Sequence, residues 1–132
     1  MELSSETKGL KLLQKLGYEA IQSPDWLAWK DGRCVCLEVK EKELFEPGPN
    51  FPYCGCGLDK SQVYLRTKML KTLGVRTILV NFVPGTNDFY YRYLDELEKG
   101  IFYDTRKGIR IYPIDNFKAI HDAPNQNLGG LG

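Results

Sequence analysis

The chain is poor in the residues and motifs that most often announce a function. It has a single histidine, His121, in 132 residues. That imidazole stands near the end of the chain and is expected to face solvent, not to act as a catalytic base. No apolar run approaches the roughly 18 residues of a membrane-spanning helix, and no secretory signal opens the sequence. Both absences predict a cytoplasmic, reducing setting in which disulfides are not expected. Charge of one sign is also scarce: the formal net charge is +1. That excludes a strongly basic nucleic-acid-binding domain and leaves any such affinity to a local patch. The helix-turn-helix, zinc-finger, P-loop and G-x-G-x-x-G signatures are missing, so no nucleotide cofactor is implied. No internal repeat and no second domain is visible.

What is present suits one core. Apolar residues make up 42% and charged residues 27% of the chain, ordinary values for a globular domain. Residues 1–121 are expected to form one domain, with a glycine- and asparagine-rich flexible tail over 122–132.

The densest signal runs from Pro24 to Lys40, PDWLAWKDGRCVCLEVK. Two β-runs, Trp26–Lys30 and Arg33–Lys40, flank an Asp31-Gly32 turn, a strong hairpin signature. Side chains alternate along a strand. Val35, Leu37 and Val39 therefore share one face, which should pack on a helix. Cys34, Cys36, Glu38 and Lys40 share the other, with its cysteine end expected in the interior. Asp25 opens the first run and can lie across the hairpin from Glu38. Two carboxylates can hold a hard divalent cation, and a neighbouring lysine can orient a water. Burial beside apolar surface would raise the Glu38 pKa, and a bound cation would reverse that.

Asp25, then twelve intervening residues, then Glu38-x-Lys40, with Pro24 before the aspartate, resembles the PD-(D/E)xK nuclease superfamily. The likeness spans roughly residues 5 to 83. It extends to Glu6 on a leading helix and to Gln62 on the helix after the core. The chain is most similar to the small Holliday-junction-resolvase-like and VRR-NUC-like nucleases of phages, bacteria and archaea. The resemblance implies an α/β, restriction-endonuclease-like three-layer core, a mixed central β-sheet flanked by helices. It further implies Mg²⁺ or Mn²⁺ held by Asp25, Glu38 and the backbone carbonyl of Val39, with Glu6 reaching the cation through a water. Lys40 would position the attacking water, and Gln62 would help orient Lys40 or that water. Junction resolvases of this superfamily act as dimers, so a homodimer is implied as well.

Around this centre the order reads helix, strand, hairpin, helix, strand. Ser5–Leu16 is expected as a helix with Leu10, Leu12, Leu13 and Leu16 facing a sheet, and Tyr18–Gln22 as a strand. Residues 41–60 carry three prolines and three glycines and are expected to be irregular. Phe51 and Tyr53 there should pack on the body, stacking on an unpaired base being the alternative. Asp59 to Leu73 reads as a second helix, capped by Asp59 and ended by Gly74. Val75–Val83 is near-continuously apolar, as a central strand is, and should pair in parallel with Arg33–Lys40. Phe89–Leu94, Ile101–Tyr103 and Ile109–Tyr112 read as strands, Asp95–Lys99 as a helical turn and Asp115–Ile120 as a last helix.

Lys8, Lys11, Lys60 and Arg66 sit on the two long helices and can track a phosphate backbone; a solvated helix face is the simpler account of each. The four cysteines form two C-x-C pairs, Cys34/Cys36 and Cys54/Cys56. Zinc ligands are usually C-x₂₋₄-C, so free thiols are expected. The function expected is metal-dependent hydrolysis of phosphodiester bonds in DNA, including branched or junction DNA, with RNA left open. Two alternatives remain: a non-catalytic nucleic-acid-binding module on the same fold, and a cysteine-metal binding protein.

Overall fold

The computed structural model describes residues 5–23 and 25–121. Helix α1 (Ser5–Lys15) is followed by strands β1 (Glu19–Ser23), β2 (Asp25–Lys30) and β3 (Arg33–Glu41). Then come β4 (Gly55–Asp59), α2 (Lys60–Leu73), β5 (Arg76–Phe82), β6 (Phe89–Tyr93) and α3 (Leu94–Leu97). The described chain closes with β7 (Tyr103–Asp104), β8 (Ile109–Pro113), a 3₁₀ turn (Ile114–Asn116) and β9 (Lys118–Ile120). None of the described helices is long and apolar enough to cross a membrane.

The β2–β3 hairpin forms where the Asp-Gly pair predicts it. Asp31 and Gly32 have φ of 52° and 76°, the paired positive angles of a type I′ turn, whose twist matches the flanking strands. Lys30 stands opposite Arg33 and Trp26 opposite Leu37.

The main sheet has the order β1-β2-β3-β5-β6-β9. β3 and β5 run parallel from Val35↔Arg76 to Glu41↔Phe82, and the neighbouring pairs are antiparallel. The parallel pair at its centre makes this a mixed sheet. On one side Leu12 and Leu13 of α1 pack against Trp26, Ala28, Val35, Leu37, Val80, Phe82 and Phe89. On the other, Val63 of α2 packs with Leu58, Leu79, Leu94, Leu97 and Tyr112. Helix, sheet, and a layer of α2 with a second sheet give the restriction-endonuclease-like three-layer arrangement. Alternation decides which residue faces which layer: Val35 and Leu37 turn to α1, while Cys36 and Glu38, both buried, are left for the α2 side.

Three expectations fail. Residues 41–60 are not irregular throughout. Phe45 and Gly55 exchange backbone hydrogen bonds of 2.8 and 3.0 Å, and Gly55–Asp59 becomes β4 in a second sheet of order β4-β8-β7. The expected helix over 115–120 is instead the 3₁₀ turn and β9, because Lys118–Ile120 pairs along β6. Asp59 stands at the start of α2 but makes no side-chain cap bond there. Pro24 and the tail 122–132 lie outside the described residues.

The glycines of β4 explain the first error. They are required by close approach, not by turning. A Cβ on Gly55 would collide with the Tyr112 carbonyl oxygen and come within 2.7 Å of Ile111 Cγ2. One on Gly57 would come within 2.7 Å of Ile109 Cγ2 and 2.9 Å of Phe45. Gly55→Ala should therefore part β4 from β8 and destabilise the fold by about 1–3 kcal/mol, read as a lowered melting temperature. An unchanged melting temperature would refute the close-approach account.

Candidate active site

The carboxylate of Glu38 is the centre of this region. It projects from the middle of the sheet with 1% exposure. A buried carboxylate must be paired, since isolated charge in the interior is heavily penalised. Its partner is Arg66, one helical turn beyond Gln62 on α2. Arg66 Nε and Nη2 donate to Glu38 Oε1 at 2.9 and 2.6 Å. Burial pushes the Glu38 carboxyl above its ordinary value, and the nearby Lys40 ammonium pulls it back. Burial pushes the Arg66 guanidinium down. Direct contact between the two opposes both tendencies, because each charge favours the charged form of the other.

Lys40 follows two residues after Glu38, beside Asn81 of β5 in the parallel register. It is half-buried. Among the described residues it makes no hydrogen bond and no ion pair. Val39 lies between the two, its backbone in the ladder opposite Val80 and its side chain toward Gly9 of α1. Gln62 Oε1 is buried and has no hydrogen-bond partner among the described residues. The backbone of Asp25 pairs with Ser23 at the start of β2. Extending the Trp26↔Leu37 register by one residue brings that backbone level with Glu38. The carboxylates of Asp25 and Glu6 lie outside the described side chains. Among the described residues no three Asp, Glu, His or Cys side chains gather as a metal cluster.

Two of the four expected phosphate-tracking cations prove to be buried. Lys8 is 2% exposed. Its ammonium pairs with Glu41 Oε1 at 3.0 Å and stands 5.3 Å from the centre of the Phe82 ring. Arg66 is 7% exposed and committed to Glu38. Both are corrections to the outward-facing role. Lys8 precedes Leu12 by four residues and Arg66 follows Val63 by three, so each shares its helix's inward stripe. Lys11 and Lys60 are exposed; Lys60 lies 3.7 Å from Asp104. His121 is exposed and pairs with Asp88 at 3.0 Å. Phe51 packs edge-on to Tyr53, with centroids 5.0 Å apart, and stacks on Tyr103 at 5.9 Å.

Asn81 escaped the sequence reading. It is 2% exposed, and its Nδ2 donates to the Lys42 carbonyl at 2.9 Å. It thereby fixes the chain where β3 ends, just past Lys40. The signal was available: Asn81 is the polar interruption in ILVNFV.

No protein-family model matches the chain, and no curated protein matches it. Among solved structures it is similar to Archaeoglobus fulgidus Hjc, a Holliday junction resolvase from an archaeal hyperthermophile. The identity is 14%, the TM-score is 0.54, and the match covers 91% of this chain and 83% of that one. At that identity the likeness establishes the shared mixed α/β fold.

The cysteines divide between the two sheets. Cys34 is exposed, against the expectation that it lies inside, because β3 begins beyond the edge of the core; Cys36 behind it is buried. Cys56 is buried in β4 and Cys54, just before it, is half-buried. Burial pushes the Cys36 thiol up to about 11 and the Cys56 thiol up to about 12. Burial, aided by Glu46, also raises Cys54. Thiolate is the reactive form. An aromatic disulfide reagent at pH 8 should therefore label Cys34 first and Cys54 more slowly. Cys36 and Cys56 should react only after denaturation. Four equally fast thiols in the native protein would contradict this burial.

Proposed function

We propose that this chain is a divalent-metal-dependent nuclease that hydrolyses phosphodiester bonds in DNA. The observation that carries the reading is the buried Glu38 carboxylate with Lys40 two residues on, together with a buried Gln62 oxygen on α2 that has no partner among the described residues. It is supported by a fold shared with a protein named as a Holliday junction resolvase. That name makes branched DNA the substrate form to test first. A junction cut symmetrically would engage two copies of the chain.

The residues fit a hard cation. Both Arg66 hydrogen bonds to Glu38 fall on Oε1, and Gln62 Oε1 is buried with no hydrogen-bond partner among the described residues; oxygen donors suit Mg²⁺ or Mn²⁺. Asp25, Glu38 and the Val39 carbonyl would hold the ion, with Glu6 reaching it through a water. Such a cation polarises a phosphoryl oxygen and lowers the pKa of a water. Lys40 would orient the attacking water and offset the charge that gathers on phosphorus in the transition state. Gln62 would accept a hydrogen bond from that water or from the Lys40 ammonium. Lys11 and Lys60 are the exposed cations of the expected patch that would meet a phosphate backbone.

The test is a panel of labelled four-way junction, duplex and single-stranded DNA, with an RNA arm, in Mg²⁺, Mn²⁺ or chelator. Cation-dependent cleavage is expected. Binding without cleavage under every condition would favour a non-catalytic module. Tightly held zinc or iron at one per chain, on metal analysis, would favour a cysteine-metal protein.

Lys40→Ala separates chemistry from folding better than a change at Glu38 does. Lys40 makes no hydrogen bond or ion pair among the described residues, so stability should change by less than about 1 kcal/mol while cleavage falls to background. Full cleavage by this variant would remove Lys40 from the mechanism. Glu38→Gln should also abolish cleavage, but it removes the carboxylate charge that Arg66 meets in the interior. It should therefore cost about 3–5 kcal/mol of stability, seen as a lower denaturation midpoint.

A further inference from the structure

We infer that Arg66 is a positioning residue of the site: it grips Glu38 by one oxygen and thereby presents the other to a cation. The inference rests on the reading of Glu38 as a cation ligand and assigns a role to a residue outside the Asp-Glu-Lys core.

The argument comes from how this chain uses its arginines. The Nε/Nη2 edge of a guanidinium matches both oxygens of a carboxylate, and the two-oxygen fork is its common arrangement. Two pairs among the described residues adopt it. Arg76 donates to Asp95 Oδ1 and Oδ2, each at 3.1 Å. Arg110 donates to Asp104 Oδ1 at 2.8 Å and to Oδ2 at 3.1 Å. Arg66 uses the same edge differently: Nε at 2.9 Å and Nη2 at 2.6 Å both reach Glu38 Oε1. Arg76 and Arg110 thus engage both oxygens of their carboxylates, and Arg66 places both of these bonds on one.

Arg66 is also held in place. Its Nη1 lies 3.0 Å from Met69 Sδ, and its side chain is 8% exposed. A fixed guanidinium on Oε1 restricts rotation of the Glu38 carboxylate. Outer partners that orient a metal's ligands in this way commonly change metal affinity by 10–100-fold when removed, an order-of-magnitude range. A cation-site blocker would behave oppositely, because losing a positive charge from the site would then tighten binding.

The experiment is Mn²⁺ titration calorimetry, with thermal melting of each protein as a control. Arg66→Lys keeps the charge but gives up the planar fork, and should remain folded. Its Mn²⁺ affinity should fall about 10-fold or more, within the range for lost outer partners. Arg66→Met should fall further where it folds. Native affinity in folded Arg66→Lys would overturn the inference while leaving the metal reading intact. Tighter Mn²⁺ binding in Arg66→Met would also overturn it, by making Arg66 a competitor. Absence of Mn²⁺ binding by the unaltered chain would overturn the inference and the metal reading together. Loss of cleavage with wild-type Mn²⁺ affinity in Arg66→Lys would count against positioning as well.

Discussion

A carboxylate sits where carboxylates are least tolerated, in the middle strand of a covered sheet, and much of the architecture on one side serves to keep it there. Glu38 is flanked in register by Leu79, and Val63 and Leu94 lie in the same apolar layer. Desolvation penalises both Glu38 and Arg66 by several kcal/mol each. Their contact must recover that cost, which it can do only at close range and in good geometry. A well-packed apolar pair at these two positions could be as stable. The ion pair is therefore better understood as a constraint on orientation than as a source of net stability. It demands that α2 cross the sheet where Arg66 can reach Glu38, with Gln62 one helical turn before Arg66 on the same helix.

The second sheet helps meet that demand. β4 runs directly into α2, and the first helical amide, Lys60 N–H, donates to the Gly108 carbonyl at 2.9 Å. The pairing of β4 with β8 thus anchors the start of the helix. Leu58 of β4 and Tyr112 of β8 complete the apolar layer beneath it. The segment between β3 and α2 is partly a support for the helix that carries Gln62 and Arg66. A register slip in β4 would displace both residues. At the other end of the crossover, Gly74 closes α2 in the left-handed conformation and its N–H returns to the Leu70 carbonyl, so the helix is bounded at both ends before β5 begins.

How much of this was legible follows from which signals are local. The hairpin, the alternation in β3, the parallel partner β5 and the two long helices are written in short-range pattern, and they appear within a residue or two of expectation. The β4–β8 sheet is a long-range pairing across some fifty residues, and its strand is spelled with glycines that also signal turns. The meaning of Gly55 and Gly57 depends on how closely Tyr112 and Ile109 approach, which no local pattern contains. β9 was obscured for the same reason, since three residues become a strand only because β6 offers an edge. Lys8 and Arg66 were misjudged on residue type. Helical spacing placed each in an inward stripe, but the ordinary preference of Lys and Arg for the surface outweighed it. The candidate site was therefore legible as a set of residues in β3, while the partner that orients Glu38 was not.

The charges at the end of β3 make a further point. Glu38 and Glu41 are three apart and so project to opposite faces. Each meets a cation from the helix covering its own face: Arg66 of α2 for Glu38, Lys8 of α1 for Glu41. The two buried helix cations are thus consumed within the fold. Lys40 stands between the two carboxylates in sequence and shares the face of Glu38, yet no described carboxylate pairs with it. Lys40 also bears on Glu38, pulling down the carboxyl that burial pushes up. Arg66 meets Glu38 through one oxygen, and Lys40 makes no ion pair among the described residues. On the reading proposed above, that carboxylate would hold the cation and that ammonium would position the water, so the two side chains of one strand face would divide the work of phosphodiester hydrolysis.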